Sequence, residues 1–149
     1  DVYKRQPRAW ELTWETFEIM PSFTNPTAIR ITLVRGFNDH DEALKGFARI
    51  IETAQPTYVE VKSYMWVGAS RERLSKSNMA RHDQVKEFTR KLSEMTGYPI
   101  IGESRASRVV LLSMIPKPIR LGKGCPKGLD TPEPEAPGEY DEYDPDVMP

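Results

Sequence analysis

Residues 59–82 read VEVKSYMWVGASRERLSKSNMARH, and the join of a short strand to a basic loop in this stretch decides the fold. Strands buried on both faces read as nearly continuous apolar runs. Here Val59, Val61 and Ser63 alternate with Glu60, Lys62 and Tyr64. The two-residue period of a strand sends the three polar or amphipathic groups to one side and the small or apolar ones to the other. One face therefore belongs to a core, and the other meets water or chemistry. The strand then runs into a loop carrying Arg71, Arg73, Lys76 and Arg81 against a single acid, Glu72, with His82 at its end.

Helical and extended patterns alternate on either side of this join. Upstream, Trp10, Trp14, Phe17 and Met20 recur at helical spacing until Pro21, which predicts an amphipathic helix. After the turn-rich PSFTNPT comes AIRITLVR, a strand with Ile29, Ile31 and Leu33 on one face. Gly36 and Asn38 break it, and Asn38 or Asp39 is placed to cap a helix whose stripe is Leu44, Phe47, Ile51 and Ala54. The second strand spans about Thr57 to Met65. Downstream, Val85, Phe88, Leu92 and Met95 mark a third helix ending at Gly97. Tyr98–Ile101 and Ser107–Ser113 read as two further strands. The order α-β-α-β-α-β-β favours an α/β fold with parallel strands and right-handed helical crossovers.

Charge divides the chain in two. Residues 130–149 hold eight acidic side chains and no Lys or Arg, so residues 1–129 keep 21 basic against 14 acidic groups, a formal +7 hidden by the overall −1. A basic body suits a polyanionic partner, because each phosphate contact releases counterions. Eight of the thirteen prolines lie between Pro116 and Pro149. That composition cannot bury enough apolar area to offset its ordering entropy, so residues 116–149 are expected to be a disordered acidic tail. The opening DVYKRQ reads as a truncation scar or leader over residues 1–9. Cys125 is the single cysteine, which excludes an internal disulfide and any Cys-rich metal motif. No apolar run approaches the ~20 residues of a membrane span, and no signal peptide is visible, so a cytoplasmic setting is the default.

Sites in α/β sheets gather at the carboxyl ends of strands. Three such ends carry polar groups: Arg35-Gly36-Phe37-Asn38, Lys62-Ser63-Tyr64 and Gly102-Glu103-Ser104-Arg105. Glu60, Lys62 and Tyr64 can line a cavity, where Lys62 binds an anion or acts as an amine toward a carbonyl. The same alternation is what the solvated face of an open sheet shows. The loop cations can contact a phosphate backbone, with Trp66 and Tyr64 stacking on exposed bases, or they can simply be solvated. His40 and His82 have no metal-ligand spacing and suit capping or surface roles. Phosphate-loop, nucleophile-elbow and kinase signatures are absent from the sequence.

Three blocks together, IRITLVRGFN, YVEVKSYMWVGASRERLSKSNMARHDQV and ESRASRVVLLS, resemble the C-terminal part of the tRNA 4-demethylwyosine synthase family. The likeness spans roughly Trp10 to Ser113, in the family's order and spacing. It implies the C-terminal part of a partial TIM-like radical S-adenosylmethionine barrel over residues 10–115. The implied activity is that of a lyase in wyosine biosynthesis, which converts N1-methylguanosine at position 37 of phenylalanine tRNA into 4-demethylwyosine, with pyruvate as the carbon donor. Asn38, Glu60 and Tyr64 would then face the adenosylmethionine and substrate cavity, and Lys62 is the candidate catalytic amine. Arg71, Arg73, Lys76 and Arg81 would meet the anticodon stem-loop of the tRNA.

The departure from the family pattern is the Cys-x-x-x-Cys-x-x-Cys motif, which this sequence lacks. One cysteine cannot supply the ligands of a [4Fe–4S] cluster, so cluster and adenosylmethionine belong to the full-length enzyme, expected to be monomeric, and this fragment is expected to be inactive alone. The alternative of a different class is a non-catalytic RNA-binding α/β module.

Overall fold

The computed structural model describes residues 8–116. Helix α1 (Ala9–Ile19) passes through a 3₁₀ turn (Met20–Ser22) into strand β1 (Ala28–Leu33). Helix α2 (Asp41–Ala54), strand β2 (Tyr58–Ser63) and two short 3₁₀ segments (Gly68–Glu72 and Lys76–Asn78) follow, and then helix α3 (His82–Thr96), β3 (Ile100–Ser104) and β4 (Val109–Ser113). The expected leader (residues 1–9, save its last two) and acidic tail (116–149, save Pro116) lie outside the described residues.

The four strands form one open sheet in the order β1-β2-β4-β3. β1 and β2 are parallel, as expected for strands joined through α2. β4 runs antiparallel to both β2 and β3, which corrects the all-parallel expectation. The reason is local. Only residues 105–108 separate β3 from β4, too few for the dozen or more that a parallel crossover needs. The Arg108 N–H donates to the Arg105 carbonyl at 3.0 Å, and Arg108 adopts φ 49°, closing a hairpin. β2 and β3 therefore still point the same way, linked through α3, with β4 inserted between them.

Both α2 and α3 pack on one face of the sheet. Ile31 and Leu33, Val59 and Val61, and Val110 and Leu112 meet Leu44, Ala48 and Ile51 of α2 and Val85, Phe88 and Leu92 of α3. Val59, Val61, Val110 and Leu112 are fully buried. Each such side chain contributes about 1.5–3 kcal/mol relative to exposure. Met95, expected on the buried stripe of α3, is exposed, because the stripe turns off the sheet before the helix ends at Gly97 (φ 75°). α1 lies on α2, where Arg49 sits over the Trp14 ring at 5.1 Å.

Two expectations about polar residues change. The cap of α2 is His40, whose Nδ1 accepts from the Ala43 N–H at 3.2 Å, and neither Asn38 nor Asp39. His82 is a buried residue at the first turn of α3, with Nε2 3.2 Å from Glu103 Oε2 on β3, and has no surface role. Glu103 follows the bulge between Ile100 and Gly102 and reaches Lys86 Nζ as well, at 3.0 Å. It clips the edge strand onto the start of α3.

Candidate nucleic-acid interface

The carboxyl ends of β1 and β2 are tied into one rim. Past β1, the Val34 N–H donates to Asn38 Oδ1 at 2.7 Å, and Asn38 Nδ2 donates to the Thr32 carbonyl at 3.0 Å. The Gly36 N–H donates to Asp39 Oδ1 at 2.8 Å, with Gly36 at φ 81°, a conformation that favours glycine. Past β2, the Tyr64 N–H donates to the Leu33 carbonyl at 2.8 Å, which carries the chain across to the β1 end. The returning part of the loop closes the same junction. The Arg35 N–H donates to the Asn78 carbonyl at 2.9 Å, and Asn78 Nδ2 donates to the Arg35 carbonyl at 3.0 Å. Buried Ser63 donates its hydroxyl to the Ala80 carbonyl at 2.8 Å.

Trp66 organises the middle of the loop. Its indole N–H donates to the Leu74 carbonyl at 2.8 Å, and its backbone N–H points at Met79 Sδ at 3.3 Å. Arg71 Cζ lies 4.2 Å from the ring centroid and Lys76 Nζ lies 5.4 Å from it. Both distances fall within the ~6 Å reach of a cation–π contact. Arg35, Arg71 and Arg73 meet no carboxylate within 4.0 Å among the described residues. Phe37, Met65 and Val67 stand exposed on the same two segments, Phe37 at 60 %. The rim thus combines unneutralised cations with exposed apolar surface on a hydrogen-bonded frame.

The expected site residues divide accordingly. Arg71, Arg73 and Lys76 lie on the loop that forms the rim. Arg81 caps α3 and pairs with Asp83, whose carboxyl is held below the usual range chiefly by that hydrogen bond. Asn38 lies at the rim, with its amide committed to its own turn. Glu60 and Lys62 stay half-exposed on the sheet face that no described helix covers, where Glu60 pairs with Arg30 Nη2 at 2.8 Å across the β1–β2 register. Tyr64 departs from them: β2 ends at Ser63, and Tyr64 is buried, its hydroxyl donating to Ser70 Oγ at 2.8 Å. It is therefore a loop anchor and cannot stack on a base. The exposed Phe37, Met65 and Val67 were the unread part of the rim, because an apolar residue next to a strand end carries no sequence sign of exposure.

A cleft of about 330 Å³ opens elsewhere, between the first turns of α2 and α3. Its floor is Leu33, Leu44, Ala80 and Phe88, and Asp39, Asp41, Asp83 and Glu87 stand around it with Lys91 as the one Lys or Arg. Such a rim repels phosphate, so this cleft is electrostatically unlike the basic loop.

Residues 53–114, which include β2, the whole basic loop, α3 and the hairpin, match the family model for wyosine base formation. The chain belongs to the wyosine base formation family. The S-adenosyl-L-methionine-dependent tRNA 4-demethylwyosine synthase of Pyrococcus abyssi is 40% identical over 107 residues, 71% of this chain and 31% of that protein. The enzyme of the same name from Methanocaldococcus jannaschii is 39% identical over 116 residues, 75% of this chain and 36% of that protein. A solved structure of TYW1 with a lysine–pyruvate adduct bound superimposes with a TM-score of 0.65 at 34% identity, covering 74% of this chain and 34% of that one. Archaeal TYW1 does so at 0.59 and 31% identity. The chain thus spans about a third of the length of these relatives.

The relatives' names carry dependence on S-adenosylmethionine. In this chain no group of three His, Cys, Asp or Glu able to hold a metal occurs among the described residues, and the single cysteine, Cys125, lies outside them. The residues present do not fit a cysteine-ligated cluster. No described helix is long and apolar enough to cross a membrane.

Proposed function

We propose that this chain forms a cavity wall and the tRNA-contacting rim of a cytoplasmic, monomeric tRNA 4-demethylwyosine synthase. In that reading the enzyme is a radical S-adenosylmethionine lyase built on a TIM-like barrel. It joins pyruvate-derived carbons to N1-methylguanosine-37 of phenylalanine tRNA. Cluster chemistry belongs to regions outside this chain. The observation that carries the reading is the pair of unneutralised cations Arg71 and Arg73, on a braced rim inside a wyosine base formation family match, with Arg35 beside them at the end of β1.

Within this reading Arg71, Arg73 and Lys76 bind phosphates of the anticodon stem-loop, and Arg81 closes the edge of the patch. The turn of Asn38, the Glu60–Arg30 pair and Tyr64 shape the wall beside the adenosylmethionine cavity. Lys62, half-exposed beside that pair, faces an anionic group. Its setting lacks the burial that makes a lysine a Schiff-base nucleophile. Filter binding of a tRNA-Phe transcript to the 149-residue chain at two salt concentrations tests the proposal. Binding that weakens with salt is expected, and no binding at low salt overturns it.

A further inference from the structure

We infer that Phe37 is a base-stacking residue, whose exposed ring receives an unstacked base of the RNA loop that the neighbouring arginines hold by its phosphates. This role rests on the RNA reading and adds where a base, as distinct from the backbone, is held. The other two aromatics of the rim are committed. Tyr64 is buried with its hydroxyl on Ser70, and the Trp66 ring already carries Arg71 at 4.2 Å. Phe37 is 60 % exposed, and no ring or cation among the described residues lies against it. Its backbone is nevertheless fixed. The Phe37 and Asn38 N–H groups both donate to the Val34 carbonyl, at 3.0 and 3.2 Å, and the Asn38 side chain ties the turn to the end of β1. A braced turn bearing a ring with two side-chain torsions loses little entropy on binding. Single exposed apolar side chains are ordinary. Here Met65 and Val67 stand exposed as well, on the segment that the Tyr64 N–H bond to Leu33 ties to the same strand end. Arg35, just before the turn, bonds Asn78 through its backbone, so the apolar surface and the arginines share one frame. A nucleotide out of its stack offers the matching pair, an apolar base face and an anionic phosphate. A wholly apolar partner would leave the arginines without a counter-charge.

The test is fluorescence anisotropy of a labelled tRNA-Phe anticodon stem-loop on the 149-residue chain. Phe37→Ala should weaken binding about tenfold, within what alanine substitution removes from a base–aromatic stack. Its salt slope should stay unchanged, because no phosphate contact is lost. Phe37→Tyr keeps the ring and should bind as the unmodified chain does. Phe37→Leu keeps apolar bulk without a ring face and should lose most of the same tenfold. Phe37 lies outside the core cluster, so all three variants should melt with the unmodified chain. In a series of stem-loops each lacking one loop base, the Phe37→Ala effect should vanish at one position. Equal binding by Phe37→Ala and the unmodified chain overturns the inference alone and leaves the patch to a protein segment. A Phe37→Leu variant as tight as the unmodified chain, or a Phe37→Ala effect that persists across the whole abasic series, overturns stacking in favour of plain apolar contact. No RNA binding by the unmodified chain overturns it together with the RNA reading.

Discussion

Replacing Arg71 and Arg73 together by alanine separates a phosphate-binding loop from a merely solvated one. Neither side chain has a carboxylate partner among the described residues, so their removal leaves no buried charge or broken ion pair behind. Both sit in exposed backbone of the loop and contribute nothing to the core. The fold should survive, and the loss should appear in binding. If Arg71, Arg73 and Lys76 each neutralise one phosphate of a single-stranded loop, the slope of log affinity against log salt is about 0.7 per contact. The unmodified chain should then lose about twentyfold in affinity between about 50 and 200 mM salt, and the double variant about threefold. Fluorescence anisotropy of labelled tRNA across a salt series reads both numbers. An unchanged slope with unchanged far-ultraviolet dichroism would refute the assignment, because counterions would then be released by residues elsewhere.

Three further outcomes follow from the geometry. Ser63→Ala strands the buried Ala80 carbonyl that Ser63 Oγ now meets at 2.8 Å, and should cost about 1–2 kcal/mol, a melting point lower by about 5–10 °C in calorimetry. Glu103 is held below the usual glutamate range first by its hydrogen bond to Lys86 and then by that to His82. A carboxyl depressed in the folded state stabilises above its unfolded value and stops doing so as pH falls through the folded one, so acid titration of unfolding should show a loss that Glu103→Gln removes. Incubation of the chain with pyruvate and cyanoborohydride should label Lys62 no more than other surface lysines by peptide mass mapping; selective labelling there would make it the amine nucleophile.

The periodicities that reflect burial were legible in the sequence. The alternation Val59, Val61, Ser63 against Glu60 and Lys62 placed β2's two faces correctly, and the spacing of Leu44 and Ile51 or of Val85, Phe88 and Leu92 found the helices that cover one of them. The direction of β4 was not legible from strand patterns, because apolar alternation is the same in either direction. The four residues at 105–108 did carry that information, as a loop length. The cations could be counted in advance, but not their pairing: Arg81 finds Asp83 and, on the sheet face, Arg30 finds Glu60, while Arg71 and Arg73 at the rim find no acid among the described residues. That pairing depends on neighbours brought together by folding. Tyr64 was misplaced because the strand stops one residue earlier than its alternation suggests, where the chain crosses to bond the Leu33 carbonyl.

Because β4 runs against β2, Ser113 lies beside Tyr58, at the end of the sheet away from the cationic loop. A dye, biotin or surface linker attached just after it at Pro116 would stand off from that loop by roughly the five-residue rise of β2, about 17 Å. Anchoring through that end should leave the arginines facing free solution, whereas chemical coupling through lysine amines would consume Lys76 itself.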